Sequence, residues 1–158
     1  MSKKIFSLLS FVIIASLMLA ACAKPAATTV PPASGPTEAD CAKEEVMCVG
    51  LVTDVGEVDD KSFNQASWEG VEAGIAAVGG VANYVETKDA KDYAANIQLF
   101  IDKGYDVIVT VGFALGNATV DAAKANPAVK FIGVDQFQAA ETPGVAGLIF
   151  DEAKSGFL

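Results

Sequence analysis

The chain has 158 residues, with 20 Asp and Glu against 11 Lys and Arg, no histidine and a formal net charge of −9. That balance argues against nucleic acid as a partner, because the phosphate backbone selects basic surfaces, and against electrostatic adhesion to anionic lipid. No metal or other cofactor is expected: histidine is absent and the cysteines Cys22, Cys41 and Cys48 lack the spacing of a ligand set.

The N-terminus opens with Lys3 and Lys4 ahead of an apolar run from Ile5 to Ala21, the charged and hydrophobic regions of a secretory signal. The run is short for a permanent span of a bilayer roughly 30 Å thick. It ends in Leu19-Ala20-Ala21-Cys22, which resembles a bacterial lipobox; residues 1–21 then form a lipoprotein signal peptide and Cys22 carries the lipid. The alternative is a plain signal with an accidental cysteine. Residues 22–45 are rich in Ala, Pro, Thr, Ser and Gly without a hydrophobic period, and read as a flexible tether between membrane and domain. With Cys22 lipidated, Cys41 and Cys48 remain as a candidate disulfide at the start of the domain, although Cys48 also suits a small buried strand position.

Residues 46–158 carry the folded part. Val46–Thr53 is continuously apolar, as expected of a strand buried on both faces of a parallel sheet, and comparable runs recur at Val81–Val85, Val107–Val111, Lys130–Val134 and Val145–Phe150. Three helical patterns separate the first four runs. Ser62-Phe63-Asn64-Gln65 fits a capping box that opens the first helix; Ala66, Ser67, Gly70, Val71, Gly74, Ile75 and Val78 form its core stripe, and Gly79-Gly80 ends it. The second helix spans Lys91–Lys103 with Ala94, Ile97 and Ile101 on one side; the third begins near Gly116 and stops at Asn126-Pro127. This alternation predicts an α/β fold with a parallel doubly wound sheet. The chain ends at Leu158 just after Asp151-Glu152-Ala153 opens another helix, and it reads as a fragment, incomplete at its C-terminal end.

In such a sheet, ligands bind outside the carboxyl ends of the strands. Asp54 follows the first strand, Gly112-Phe113 the third and Asp135 the fourth, while Phe63 and Asn64 open the first helix on the same edge. Phe63 suits either the cleft or the core. Asp59 and Asp60 are expected to face solvent or to favour the positive end of the helix. A signalling receiver domain needs an aspartate where Gly112-Phe113 stands and a lysine where Asp135 stands, so that reading fails. A cleft enzyme would have two carboxylates for acid–base work, yet no histidine, nucleophile elbow or metal set to activate a nucleophile.

Val52-Thr53-Asp54-Val55-Gly56, Asp59-Asp60-Lys61-Ser62-Phe63-Asn64-Gln65 and Trp68-Glu69-Gly70 together resemble the opening of the basic membrane protein (BMP) family, lipoprotein receptors of ABC transporters that include purine-nucleoside receptors. The likeness continues through Tyr105–Val109, Phe131–Asp135 and Phe150-Asp151-Glu152. It implies the N-terminal lobe of a type I periplasmic-binding-protein fold, with the second lobe absent. The function implied is that of an extracytoplasmic receptor, lipid-anchored to the cell membrane, which hands a purine nucleoside to an ABC permease. Asp54 and Asp135 would accept hydrogen bonds from the nucleoside, Phe63 would stack on its base, and Asn64 would add a polar contact, with Gly112 and Phe113 on the same rim. A sugar or another small polar solute is the alternative ligand.

Overall fold

The computed structural model describes residues 35–156; the signal segment, Cys22 and the first part of the tether lie outside them. Five parallel strands, β1 (Cys48–Val55), β2 (Val81–Thr87), β3 (Val107–Val111), β4 (Lys130–Val134) and β5 (Val145–Leu148), form one sheet in the order β2-β1-β3-β4-β5. The helices are α1 (Phe63–Val78), α2 (Tyr93–Asp102), α3 (Gly116–Ala125) and a short α4 (Glu152–Ser155). The continuous apolar runs therefore mark parallel strands, as the sequence predicts; β1, β3 and β4 are largely buried, whereas β2 is buried only at its ends and β5, at the sheet edge, is mostly exposed.

The two faces of the sheet are packed unequally. On one face Val52, Ile108 and Phe131 join Tyr93, Ile97 and Phe100 of α2 and Leu115 and Ala123 in the larger core cluster. On the other, Leu51, Val109, Val111 and Val134 meet Val71 of α1. The stripe predicted to bury α1 faces this second side, yet only Asn64 and Val71 of the helix are buried. Ala66, Gly70, Gly74 and Val78 instead line an apolar groove of about 700 Å³ beside Val107, Ile132 and Leu148. The reason is geometric, for the larger cluster draws on both α2 and α3, whereas α1 is the helix that covers the second face.

Two local expectations change. Ser62 makes no side-chain capping bond; the Asp60 carboxylate accepts from the backbone N–H groups of Ser62, Asn64 and Gln65 instead. Burial acts to raise the Asp60 carboxyl, but these three donors outweigh it and hold it below the usual carboxylate range. The tether also ends earlier than residue 45, since residues from Gly35 onward belong to the folded unit. Cys41 and Cys48 are both buried and disulfide-bonded. Closing so short a loop restricts the unfolded chain and stabilises the fold by about 2–3 kcal/mol. Glu38 adds a polar clip, accepting from Lys103 Nζ and Tyr105 Oη, each at 2.9 Å. The Lys103 ammonium, then the tyrosine hydroxyl, hold the Glu38 carboxyl below its ordinary range, while burial pushes Tyr105 up to about 12.

Candidate functional site

The strand order reverses direction between β1 and β3, because the chain first moves outward to β2 and then crosses back over β1. The crevice at the carboxyl ends of those two strands is where an open α/β sheet offers a ligand exposed backbone and side chains. Asp54 and Gly112 stand on its two sides. Gly112 has φ +94°, a conformation that a side chain disfavours, and a Cβ built there would lie 2.6 Å from Asp54 Oδ2. The glycine thus permits the carboxylate to lie across the end of β3.

Asp54 is held from one side only. Its Oδ1 accepts from Val55 N at 2.7 Å and from the buried Tyr93 hydroxyl, whereas Oδ2, the oxygen facing Gly112, has no donor among the described residues. Burial first, and then the bond to Asp54, raise Tyr93 to about 12, so at neutral pH the phenol keeps the proton that it donates. An ionised carboxylate with one fixed and one free oxygen is an acceptor aimed at a ligand hydroxyl or N–H. Gly112 N donates to Val134 O at 2.9 Å, which brings the end of β4, and with it Asp135, beside the same crevice. Asp135 is half-buried, adopts a left-handed φ of 57° and receives no hydrogen bond at its carboxylate among the described residues. Aspartate tolerates that conformation better than most residues, and such departures concentrate at functional sites.

The other candidates divide. Phe113 follows Gly112 and is 76% exposed, opposite the equally open Phe137 across a shallow groove that also includes Asn117 and Lys124. Phe63 occupies the first position of α1, 40% exposed, with its ring centroid 5.4 Å from that of Phe150; both rings line the apolar groove beside α1. Asn64 departs from its expected part. Its side chain is buried, Oδ1 accepts from Asp54 N at 3.3 Å and Nδ2 donates to Glu57 O at 3.3 Å, so it braces the turn that carries Asp54. Tyr93 and Gln136 were missed by sequence reasoning. Tyr93 is the first residue of α2, and its pairing with Asp54 spans 39 residues, which no local pattern reports. Among the described residues no group of three or more Cys, Asp or Glu side chains gathers to hold a metal ion, and no helix is long and apolar enough to cross a membrane.

Comparison with known proteins bears on the family and the fold. Residues 47–158 match the family described as ABC transporter substrate-binding protein, PnrA-like (Bmp). The chain is 33% identical over 112 residues to the ABC transporter nucleoside-binding protein BmpA of Lactococcus lactis, covering 68% of this chain and 32% of that protein. It is 31% identical over 145 residues to the CD4+ T-cell-stimulating antigen of Listeria innocua, covering 85% and 38% respectively. It thus spans about a third of the length of these relatives. Among solved structures, the ABC transporter solute-binding proteins of Aeropyrum pernix and Conexibacter woesei each superpose with a TM-score of 0.62 at 23% identity. They cover 67% and 71% of this chain and 29% and 38% of their own.

Proposed function

The chain belongs to the Bmp family of PnrA-like ABC transporter substrate-binding proteins, and on that premise we propose that the full protein is a receptor that captures a purine nucleoside outside the cytoplasm and delivers it to an ABC permease. The observation that carries the reading is the free Oδ2 of Asp54 over Gly112, at the switch point of the sheet and next to Asp135. Nucleosides offer ribose hydroxyls and base N–H groups to such acceptors. Each charge-assisted bond contributes about 1.5–3 kcal/mol, and stacking of a base on an aromatic ring about 1–3 kcal/mol. The nucleoside-binding relative supports this choice of solute. Membership of a family of substrate-binding proteins supports reading the full protein as a receptor that binds its solute without turning it over. Lobe closure around the solute then favours one of two arrangements, and that difference is what a permease can read.

The deciding experiment is calorimetric titration of the full-length protein against purine and pyrimidine nucleosides and free sugars. Saturable heat with purine nucleosides alone supports the reading; preference for a sugar would replace it. Phe63→Ala should weaken purine nucleosides at least tenfold, about 1.4 kcal/mol, while melting changes little because the ring is 40% exposed. A collapse in melting temperature would instead make Phe63 a packing residue.

Anchoring belongs to the same proposal. Cys22 is taken to carry the lipid that holds the receptor on the extracytoplasmic face of the cell membrane, with two or more acyl chains giving stable retention. Cys22→Ser should move the protein from the membrane pellet to the soluble fraction, and continued sedimentation with membranes would refute the anchor.

A further inference from the structure

We infer that Gln136 is the positioning residue of this rim: its side-chain amide acts as a donor that fixes Gly112, Phe113 and Asp135 in the arrangement a solute meets. The inference rests on reading the rim as the solute site. Gln136 follows Asp135 and is 2% exposed, so its side chain turns under the rim where its neighbour Phe137 turns out at 74%. Its Nε2 donates to Gly112 O at 3.1 Å, Thr110 Oγ1 at 3.1 Å and Thr110 O at 3.2 Å. An amide has two hydrogens, so three acceptors share them and the group is held from several directions at once. The backbone of the same residue ties the next strand, since Gln136 N donates to Leu148 O at 3.3 Å. One residue therefore joins the carboxyl ends of β3, β4 and β5.

Two features show that the amide is required as a donor. The acceptors that face it are two backbone carbonyls and a hydroxyl, and the Thr110 hydroxyl is also paired with Thr119 Oγ1 at 2.8 Å. The other end of the amide is sacrificed: Gln136 Oε1 is buried without a hydrogen-bond partner, packed where a Cβ on Gly133 would fall. A buried unmade acceptor is costly and uncommon. Leucine or methionine would fill that space without the cost, but either would strip the amide donor from Thr110 and from the Gly112 carbonyl, leaving the latter the Leu115 N–H at 3.2 Å to hold the turn before Phe113. Asp135 is coupled through the chain itself, because its φ of 57° is the bend that sends residue 136 inward.

The test uses the full-length protein with Gln136→Met, near the original in volume and lacking both donors, and reads two quantities. Without solute, amide hydrogen exchange at Gly112 and Leu115, whose N–H groups bond Val134 O and Gly112 O, should accelerate at least tenfold, with exchange in β1 unchanged. With adenosine, guanosine and inosine as probes, affinity should fall at least tenfold while the melting temperature moves by only a few degrees. Unaltered exchange, or faster exchange with wild-type affinity, overturns the inference. Should the variant not fold, the wild-type protein decides by nuclear magnetic resonance. Slowly exchanging Gln136 side-chain amide protons with through-space contacts to Thr110 and Gly112 support the role, and a freely exchanging, contact-free amide overturns it. If wild-type protein binds none of the three nucleosides, the choice of solute fails, and the exchange arm still judges Gln136.

Discussion

Phe100→Ala should cost the domain about 3–5 kcal/mol in urea unfolding, and lower its melting temperature by roughly 10–20 °C, the largest stability effect expected of a single truncation here. Phe100 is 2% exposed, and its ring lies 4.7 Å, centroid to centroid, from Tyr105. Beneath it the strand carries Gly50, where a Cβ would stand 2.5 Å from the Phe100 ring. The ring thus occupies the place of a missing side chain, and truncating it opens a cavity against rigid backbone that cannot collapse to fill it. Leu99→Ala is the matched control: Leu99 is 48% exposed, and its truncation should cost under about 1 kcal/mol. Equal losses for the two variants would show that α2 presents a different face to the sheet.

That contrast also marks how far the sequence could be read. Strands were legible because a parallel strand covered on both faces must be apolar throughout, and the runs at Val107–Val111 and Lys130–Val134 coincide with β3 and β4 end to end. The face of a short helix was less legible. Ala94, Ile97 and Ile101 fit helical spacing, yet Tyr93, Ile97 and Phe100 are the buried residues of α2 and Ala94 is exposed. Periodicity fixes the period and leaves the phase to the partner surface, here the space over Gly50. The α1 cap shows a similar limit, since Asp60 and Ser62 both precede the helix and only the turn geometry selects the carboxylate.

At the rim, topology alone put Asp54, Gly112 and Asp135 on one edge, because in a parallel sheet strand ends share a side. The bonds made by Asn64, Tyr93 and Gln136 were not legible, since they depend on tertiary approach. Asn64 turns back to the β1 backbone, Tyr93 reaches Asp54 from α2, and Gln136 reaches Gly112 from beyond β4. The segment around Glu38 and Cys41 escaped for a related reason. Its composition is that of a linker, and one disulfide and one carboxylate clip dock it, neither of which composition reports.

The largest functional effect is expected from the two acids of the rim, and asparagine is the informative replacement. Asp135→Asn keeps a residue that tolerates the left-handed φ, so folding should be nearly unchanged. Asp54→Asn retains an oxygen able to accept from Val55 N and Tyr93, the two donors that now hold Oδ1. The amide nitrogen is then left on the side of Gly112, where the wild-type protein presents a free carboxylate oxygen. A ligand hydroxyl or N–H arriving there meets a donor in place of an anion, losing a charge-assisted bond and leaving its own donor without an acceptor. Each variant should therefore weaken purine nucleosides about a hundredfold, close to 2.7 kcal/mol, in the full-length protein. On the proposed reading, in which Asp54 and Asp135 address different groups of one bound solute, the losses should add unless the ligand shifts to favour one of them. Binding within threefold of wild type for both variants, with melting unchanged, would move the solute site away from the end of β3 altogether.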